Sequence, residues 1–141
     1  MEKNSFQVIY IDDDEFMLKA VGRLFNRLKP DWSITLIQDP IRWRDLADTK
    51  KVSPDLVLSD LIMPALTGDK LLAQVSQHFP NSIRGLITGD TTVEINALAN
   101  NWTHFILPKP FIEKDFEKMF ADFGLVQTKE DILKEELGVR N

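Results

Sequence analysis

The stretch QVIYIDDDEF occupies residues 7–16 and joins two opposite kinds of sequence. Residues 8–11 are continuously apolar, a pattern typical of a strand that is buried on both faces of a parallel sheet. Four acidic residues follow with no basic residue among them, so their charges repel one another. The stretch therefore predicts a buried strand whose carboxyl end carries a concentrated negative charge.

The same kind of apolar run recurs four more times along the chain. These runs are residues 32–37, 54–59, 83–88 and 104–108. Apolar residues at three- and four-residue steps predict helices between and after the runs, at residues 15–29, 69–79, 92–99 and 112–123. Asp39-Pro40 predicts the start of another helix, because proline is favoured at the first helical position. Strand and helix alternate five times, which predicts an α/β fold with a doubly wound parallel sheet and right-handed crossovers.

Length and composition restrict the class of protein. A chain of 141 residues has the size of one domain. The absence of cysteine excludes disulfides, zinc–thiolate sites and a cysteine nucleophile, and it fits a reducing cytosol. A net charge of −5 argues against a general electrostatic surface for nucleic acid. Because no apolar stretch approaches ~18 residues and the start lacks an apolar signal region, the sequence predicts a cytoplasmic protein.

Polar side chains stand where the predicted strands end. In a doubly wound sheet, ligands bind beyond the carboxyl ends of the strands. The residues at these ends are Asp12, Asp13, Asp60, Thr88 and Lys109. Carboxylates that are forced together need a counter-charge, and oxygen ligands without cysteine favour Mg²⁺ over zinc. The sequence therefore predicts a Mg²⁺ site at this edge of the sheet.

Four short motifs carry a resemblance to a known family. They are YIDDDE at residues 10–15, PDLVLSDLIMPALTG at 54–68, LITG at 86–89 and PKPF at 108–111. In this order and spacing, over about residues 7–123, the chain resembles the receiver domains of bacterial two-component response regulators. The resemblance implies a flavodoxin-like five-stranded parallel sheet with strand order 2-1-3-4-5 and five helices. Residues 1–124 would form the receiver domain, and residues 125–141 a C-terminal helical extension or linker.

The resemblance also implies a phosphoacceptor and its metal ligands. Asp60 would be the phosphoacceptor, a carboxylate nucleophile that takes a phosphoryl group from a phosphohistidine. Asp12, Asp13 and Asp60 would hold Mg²⁺, with Asp13 closer to the metal than Asp12. The backbone carbonyl of Ile62 would be a further ligand. Phosphoryl transfer needs alignment and charge neutralisation, which such a site supplies.

The resemblance also implies a second group of residues, which respond to the negative charge that phosphorylation adds. Thr88 would hydrogen-bond one phosphoryl oxygen and Lys109 would pair with another, moving toward the site as the charge arrives. In the family an aromatic on the fifth strand then turns inward, which changes the surface of the fourth helix, fifth strand and fifth helix. The family usually has this aromatic three residues before the lysine, which is Ile106 here. Phe105 is four before it and is the predicted switch residue, with a bulge at Pro108 to accommodate the extra residue.

Three further implications concern the neighbourhood of the predicted site. The Lys109–Pro110 peptide bond is expected to be cis. Ile62 and Asp90 would flank the phosphoryl group and influence how long it survives. Because the apolar side chain of Ile62 offers attacking water no hydrogen-bonding partner, we expect slow self-dephosphorylation.

The resemblance implies partners as well. A sensor histidine kinase or phosphotransfer protein would donate the phosphoryl group, and a downstream protein or an output domain would receive the signal. A homodimer through the fourth helix, fifth strand and fifth helix is compatible with the family. Direct contact of this domain with nucleic acid or a membrane is not expected.

Two other functions are compatible with parts of the sequence. A haloacid-dehalogenase-like phosphatase also uses Mg²⁺ and an aspartate nucleophile, but it requires Asp-x-Asp-x-Thr or Val after its first strand, and residues 12–16 end in Phe16. A degenerate receiver that is never phosphorylated is the other alternative. Taken singly, Thr88 and Lys109 would be ordinary loop and surface residues, and only the combination with the three aspartates indicates a site.

Overall fold

The computed structural model describes residues 5–49, 52–89 and 102–125. Five parallel strands form one sheet in the order β2-β1-β3-β4-β5. The strands are β1 (Gln7–Ile11), β2 (Ser33–Ile37), β3 (Leu56–Asp60), β4 (Ile83–Thr88) and β5 (Phe105–Pro108). The predicted α/β class, the parallel sheet and the strand order 2-1-3-4-5 are confirmed.

Four helices lie within the described residues: α1 (Glu15–Leu28), α2 (Arg42–Thr49), α3 (Gly68–His78) and α4 (Glu113–Asp122). The helix predicted at residues 92–99 and the tail beyond residue 125 lie outside the described residues. The chain divides after Pro110 into two compact units, with the sheet and α1–α3 in the first and α4 in the second. Within the described residues, no helix combines the length and hydropathy that a membrane crossing requires.

Hydrophobic burial explains why β1 and β3 lie at the centre of the sheet. Residues 8–11 of β1 and all five residues of β3 are buried, as expected for strands that are covered on both faces. The outer strand β2 is mostly exposed or half-buried, because it has a neighbour on one side only. The two strands predicted to end in aspartate are therefore adjacent and central.

Helices cover both faces of the sheet in the first unit. One core cluster joins alternate strand residues such as Ile9, Ile11 and Val57 to Trp43 of α2 and Leu71 of α3. On the opposite face, α1 approaches β2 so closely that a Cβ on Gly22 would lie 3.1 Å from the Leu36 side chain. Because side chains alternate between faces along a strand, this layering also decides which β1 residues share a face with Asp12.

Acidic side chains accept backbone hydrogen bonds at the starts of α1, α2 and α4. The Asp14 carboxylate accepts a 2.9 Å hydrogen bond from the Phe16 amide at the start of α1. Asp39 accepts from the Ile41 amide at 3.0 Å just before α2, and Asp115 of α4 accepts from the Ile112 amide at 2.7 Å. Asp14 therefore caps a helix and is separate in role from the neighbouring Asp12 and Asp13.

Candidate functional site

Strand register brings the predicted residues to one edge of the sheet. Asp12 follows β1, Asp60 is the last residue of β3, Thr88 is the last residue of β4, and Lys109 follows β5. Asp60 pairs with Ile87, one residue before Thr88, and Thr88 pairs with Pro108, one residue before Lys109. Parallel pairing of the central strands therefore assembles residues that are far apart in sequence.

Three carboxylates form the centre of this site. One oxygen from each of Asp12, Asp13 and Asp60 lies within 4.8 Å of the others. Asp12 is fully buried and Asp60 is 8% exposed, whereas Asp13 is exposed, so the cluster opens to solvent at Asp13. A cluster made only of carboxylate oxygens is the donor set that a hard divalent cation prefers, and it fits Mg²⁺ better than zinc.

Lys109 provides a positive charge between two of these carboxylates. Its Nζ atom lies 3.1 Å from Asp60 Oδ1 and 3.3 Å from Asp12 Oδ2. Three carboxylates against one ammonium leave two formal negative charges, which matches the charge of one divalent cation. The electrostatics of the cluster therefore also fit Mg²⁺.

Burial and charge shift the pKa values of this pair. Burial raises the pKa of Asp60; the hydrogen bond from Lys109 opposes the rise, and the charges of Asp12 and Asp13 add to it. Burial alone would lower the pKa of Lys109, but the hydrogen bond to Asp60 and the charges of Asp12 and Asp60 outweigh it and raise the pKa. Lys109 is therefore held in its charged form, and ionising Asp60 costs more than ionising a free aspartate.

Asp12 is held by three donors. The Tyr10 hydroxyl and the Lys109 ammonium both donate to Oδ2, and the Asp14 amide donates to Oδ1 at 3.0 Å. Tyr10 is also fully buried, and burial, followed by the hydrogen bond to Asp12, raises its pKa far above the usual range. Tyr10 therefore stays protonated and remains a hydrogen-bond donor.

Gly68, the first residue of α3, lies against the backbone of Asp60. Its amide donates a 2.8 Å hydrogen bond to the Leu61 carbonyl, which closes the loop between β3 and α3. A Cβ on Gly68 would lie 2.2 Å from the Asp60 carbonyl oxygen and 2.9 Å from the Leu86 side chain. The loop can therefore pass this close to Asp60 only because residue 68 has no side chain.

Gln38, the residue after β2, contacts the backbone at the exposed side of the cluster. The Gln38 side-chain amide donates a 3.2 Å hydrogen bond to the Asp13 carbonyl oxygen, which links the end of β2 to the end of β1. Next to Asp13, a groove of about 770 Å³ runs between the end of β2, the start of α2 and the loop at Pro64 and Ala65. Asp13 is thus readily reached from solvent, whereas Asp60 keeps only a small exposed area and Asp12 has none.

The remaining predicted residues lie next to the strand ends that carry the carboxylates, and they differ in exposure. Thr88 is buried, and its carbonyl accepts a 2.8 Å hydrogen bond from the Lys109 amide. Ile62 is 57% exposed in the loop two residues after Asp60. The Lys109–Pro110 bond is cis, as predicted. Asp90 lies outside the described residues.

Phe105 and Ile106 face opposite sides of the sheet. The Phe105 ring lies over Gly85, where a Cβ would be 2.2 Å from the ring, whereas Ile106 packs against the core cluster beneath α2 and α3. The predicted bulge at Pro108 is wrong, because β4 and β5 pair without interruption from Gly85–Phe105 to Thr88–Pro108. The proline fits at this place because β5 is an edge strand of the described sheet.

Three side-chain contacts in and beside the sheet do not follow from the apolar pattern. Tyr10 lies in an apolar run, although a residue two before Asp12 on a strand shares its face. Gln38 carried no sequence signal, because its role depends on how closely the ends of β1 and β2 approach. The buried Arg84 donates to the carbonyls of Trp102 and Ser82 at 2.9 Å. These hydrogen bonds link the segments that precede β4 and β5.

Removal of the ammonium should change how the site responds to metal. In Lys109→Ala, we expect the free energy of unfolding in Mg²⁺-free buffer to fall by about 1–2 kcal/mol, because buried carboxylates lose a charged donor. We also expect Mg²⁺ to bind more tightly and to restore more stability than in the wild type, because the negative charge is larger. Urea unfolding with and without Mg²⁺ measures both effects.

Lys118→Ala is the control for this experiment. Lys118 makes an exposed 2.7 Å ion pair with Asp122 along α4, and such pairs contribute less than about 0.5 kcal/mol. An unchanged Mg²⁺ dependence in Lys109→Ala would contradict the electrostatic description of the cluster.

Comparison with known sequences identifies relatives of most of the chain. Residues 8–121 match the sequence profile of the response regulator receiver domain. The chain is 27% identical over 113 residues to an Arabidopsis thaliana protein named as two-component response regulator ARR21, covering 80% of this chain and 18% of that one. It is 22% identical to hybrid signal transduction histidine kinase D of Dictyostelium discoideum, covering 95% of this chain and 8% of that one. The chain thus spans less than a fifth of either relative.

Solved structures show the same fold. An uncharacterised protein from Neptuniibacter caesariensis is 28% identical with a TM-score of 0.72, and 96% of each chain is covered. The signal receiver domain of an HD domain-containing protein from Pseudomonas fluorescens has a TM-score of 0.73 at 24% identity, covering 84% of this chain and 93% of that one. The site described above lies within residues 8–121, the part of the chain that matches the receiver-domain profile.

Proposed function

The chain belongs to the response regulator receiver domain family, and on that premise we propose that it is a signalling switch controlled by phosphorylation of Asp60. The observation that carries the proposal is the Lys109 ammonium, which contacts Asp60 at 3.1 Å within a cluster of three carboxylates. Such a cluster can first hold a cation and then accept a phosphoryl group. Asp60 is the phosphoacceptor because it combines burial, the contact with Lys109 and a position at the centre of the sheet edge.

We propose that Asp13, Asp60 and the Ile62 backbone carbonyl hold Mg²⁺, with Asp12 supporting the metal from a buried position. The exposure of Asp13 gives a cation an entry path, and the donors present are all oxygens. When bound, Mg²⁺ would supply positive charge that offsets the negative charge of the carboxylates and of the incoming phosphoryl group. Asp12 is already held by three donors, so it has the least remaining capacity to coordinate directly.

The chemistry at Asp60 is an in-line transfer. A carboxylate oxygen of Asp60 forms a bond to phosphorus while the bond from phosphorus to the donor's histidine nitrogen breaks, and the bonding electrons return to that nitrogen. Lys109 neutralises a phosphoryl oxygen, and the Thr88 hydroxyl donates to another. The near-complete burial of Asp60 limits competing water. The Ile62 side chain and Asp90 flank the product, and the apolar Ile62 favours slow self-dephosphorylation.

The added charge changes the output surface through the residues that contact it. A phosphoryl group carries about −1.5 to −2 charges near neutral pH, so it attracts Lys109 and Thr88. Movement at Thr88 and Lys109 affects β4 and β5, because the Lys109 amide is bonded to the Thr88 carbonyl at 2.8 Å. Phe105 is the proposed aromatic switch, and its ring lies against Gly85 of the neighbouring strand β4.

The proposed partners follow from this chemistry. A sensor histidine kinase or a phosphotransfer protein donates the phosphoryl group, and the match to a protein named as a hybrid histidine kinase supports that class of donor. A downstream protein, an output domain or a second copy of the chain reads the surface that includes β5. A histidine kinase takes its phosphoryl group from ATP, so we propose that this chain acts in the cytoplasm. Residues 1–124 are proposed to act as the receiver and residues 125–141 as an extension or linker.

Phosphoryl uptake and phosphatase turnover separate this function from its rival. With acetyl phosphate and Mg²⁺, we expect intact-mass spectrometry to find one phosphoryl group per chain, and with p-nitrophenyl phosphate we expect no sustained turnover. A haloacid-dehalogenase-like phosphatase would instead turn over the ester and lose that activity in Asp12→Asn. Failure of wild-type protein to take up a phosphoryl group from acetyl phosphate or from phosphorylated histidine kinases would contradict the proposal and favour a degenerate receiver.

A further inference from the structure

Tyr10 places a hydroxyl group inside the apolar run of residues 8–11. Its ring is fully buried in β1, and the other three residues of this run are aliphatic. Phenylalanine would fill nearly the same volume without a polar atom, and a buried hydroxyl is costly unless it is hydrogen-bonded. Packing therefore accounts for the aromatic ring but not for the hydroxyl, which donates to Asp12 Oδ2.

The same carboxylate oxygen receives a second donor. Asp12 Oδ2 accepts from both Tyr10 and Lys109, the latter at 3.3 Å, while Oδ1 accepts from the Asp14 amide. The two donors to Oδ2 differ in mobility. The Tyr10 ring is enclosed in the core and has two rotatable side-chain bonds, whereas the Lys109 ammonium ends a flexible stem and also contacts Asp60.

We propose that the Tyr10 hydroxyl is a positioning group that keeps the buried Asp12 carboxylate hydrogen-bonded when Lys109 leaves it for the phosphoryl group on Asp60. The proposal rests on the function proposed above, because it needs the ammonium to change partners. Without Tyr10, the departure of Lys109 would leave Oδ2 of a fully buried carboxylate with neither of the two donors described here. The cost of that bare oxygen opposes the phosphorylated state.

This role predicts a split between two binding constants. Beryllofluoride, which mimics a phosphoryl group, should bind Tyr10→Phe about tenfold more weakly than wild type at saturating Mg²⁺, the size expected for one lost hydrogen bond to a buried charge. Mg²⁺ alone should bind within about threefold of wild type, because Lys109 then remains on Asp12. A residue with a merely structural role would change both affinities in parallel or neither.

The chain contains one tyrosine, so this residue can be observed directly. In protein labelled with ¹³C at the tyrosine Cζ atom, we expect a single NMR resonance that shifts when Mg²⁺ and beryllofluoride are added together, and a different shift in Asp12→Asn. Ser76→Ala is the matched control, since it removes a half-buried hydroxyl that donates to the Ala73 carbonyl away from the site. This variant should bind both ligands as wild type does.

The outcomes distinguish this inference from the function on which it rests. If wild-type backbone amides at Asp13 and Thr88 do not respond to Mg²⁺ and beryllofluoride, the proposed function fails and the role of Tyr10 fails with it. If those amides respond while the tyrosine resonance stays unmoved, or if Tyr10→Phe binds beryllofluoride as tightly as wild type, only the role of Tyr10 is overturned. A parallel loss of both affinities in Tyr10→Phe also overturns it.

Discussion

Asp60→Asn should abolish phosphoryl uptake from acetyl phosphate, with labelling at least about a hundredfold below wild type. An amide has nearly the same shape as a carboxylate and can still accept the 3.1 Å hydrogen bond from Lys109, but it cannot act as the nucleophile. The loss should therefore be chemical rather than conformational. Because one of three clustered negative charges is removed, the variant should also unfold at higher urea concentration than wild type in Mg²⁺-free buffer.

Asp48→Asn is the matched control for Asp60→Asn. It makes the same chemical change at an exposed aspartate of α2, and its labelling should equal that of wild type. Intact-mass spectrometry measures uptake in both variants. Undiminished labelling of Asp60→Asn would show that the phosphoryl group resides elsewhere and would refute the assignment of the phosphoacceptor.

Gly68→Ala should destabilise the protein by about 2–4 kcal/mol, a large value for the addition of one methyl group. The added Cβ would lie 2.2 Å from the Asp60 carbonyl oxygen, which belongs to the backbone of a central strand and cannot rotate away. At the first residue of a helix, alanine would otherwise be at least as favourable as glycine, so helix propensity cannot explain a loss. Urea unfolding measures the effect.

Gly89→Ala provides a contrasting glycine at the same edge of the sheet. There the nearest heavy atom to an added Cβ is Lys109 Cβ at 3.4 Å, an ordinary contact, and we expect a change below about 1 kcal/mol. Equal stabilities of Gly68→Ala and wild type would mean that the loop after β3 can move away from Asp60. The close approach of α3 to Asp60 would then be a preference of the loop and not a constraint.

The sequence predicted most of the fold because hydrophobic burial determines it. Residues 8–11 and 56–58 are continuously apolar, which indicates parallel strands buried on both faces, and the resemblance to receiver domains supplied the strand order that makes them neighbours. The alignment of Asp12, Asp60 and Lys109 at one edge followed in turn from parallel strand direction. These parts of the site depend on backbone topology, which residue patterns encode.

Contacts that depend on side-chain packing could not be predicted in the same way. The hydrogen bond from Tyr10 to Asp12 requires the ring and the carboxylate to share a buried face at bonding distance, and an apolar pattern does not reveal a phenol's partner. The orientation of Phe105 depends on Gly85 of the neighbouring strand, which sets where the ring can lie. The expected bulge at Pro108 was wrong because a proline at the edge of a sheet needs no ladder partner for its nitrogen.

The two residues proposed to sense phosphorylation are tethered to the sheet very differently. The Lys109 ammonium ends a flexible side chain of four methylene groups. It can therefore move from one acceptor oxygen to another by side-chain rotation, while the Lys109 amide stays hydrogen-bonded to the Thr88 carbonyl. Thr88 is β-branched, and one stiff torsion separates its hydroxyl from the main chain. The Lys109 side chain can therefore neutralise a new negative charge without moving the backbone. A displacement of the Thr88 hydroxyl, in contrast, must also displace the backbone of β4. Relay of the signal beyond the pocket should consequently be far more sensitive to the rigidity of residue 88 than to that of residue 109.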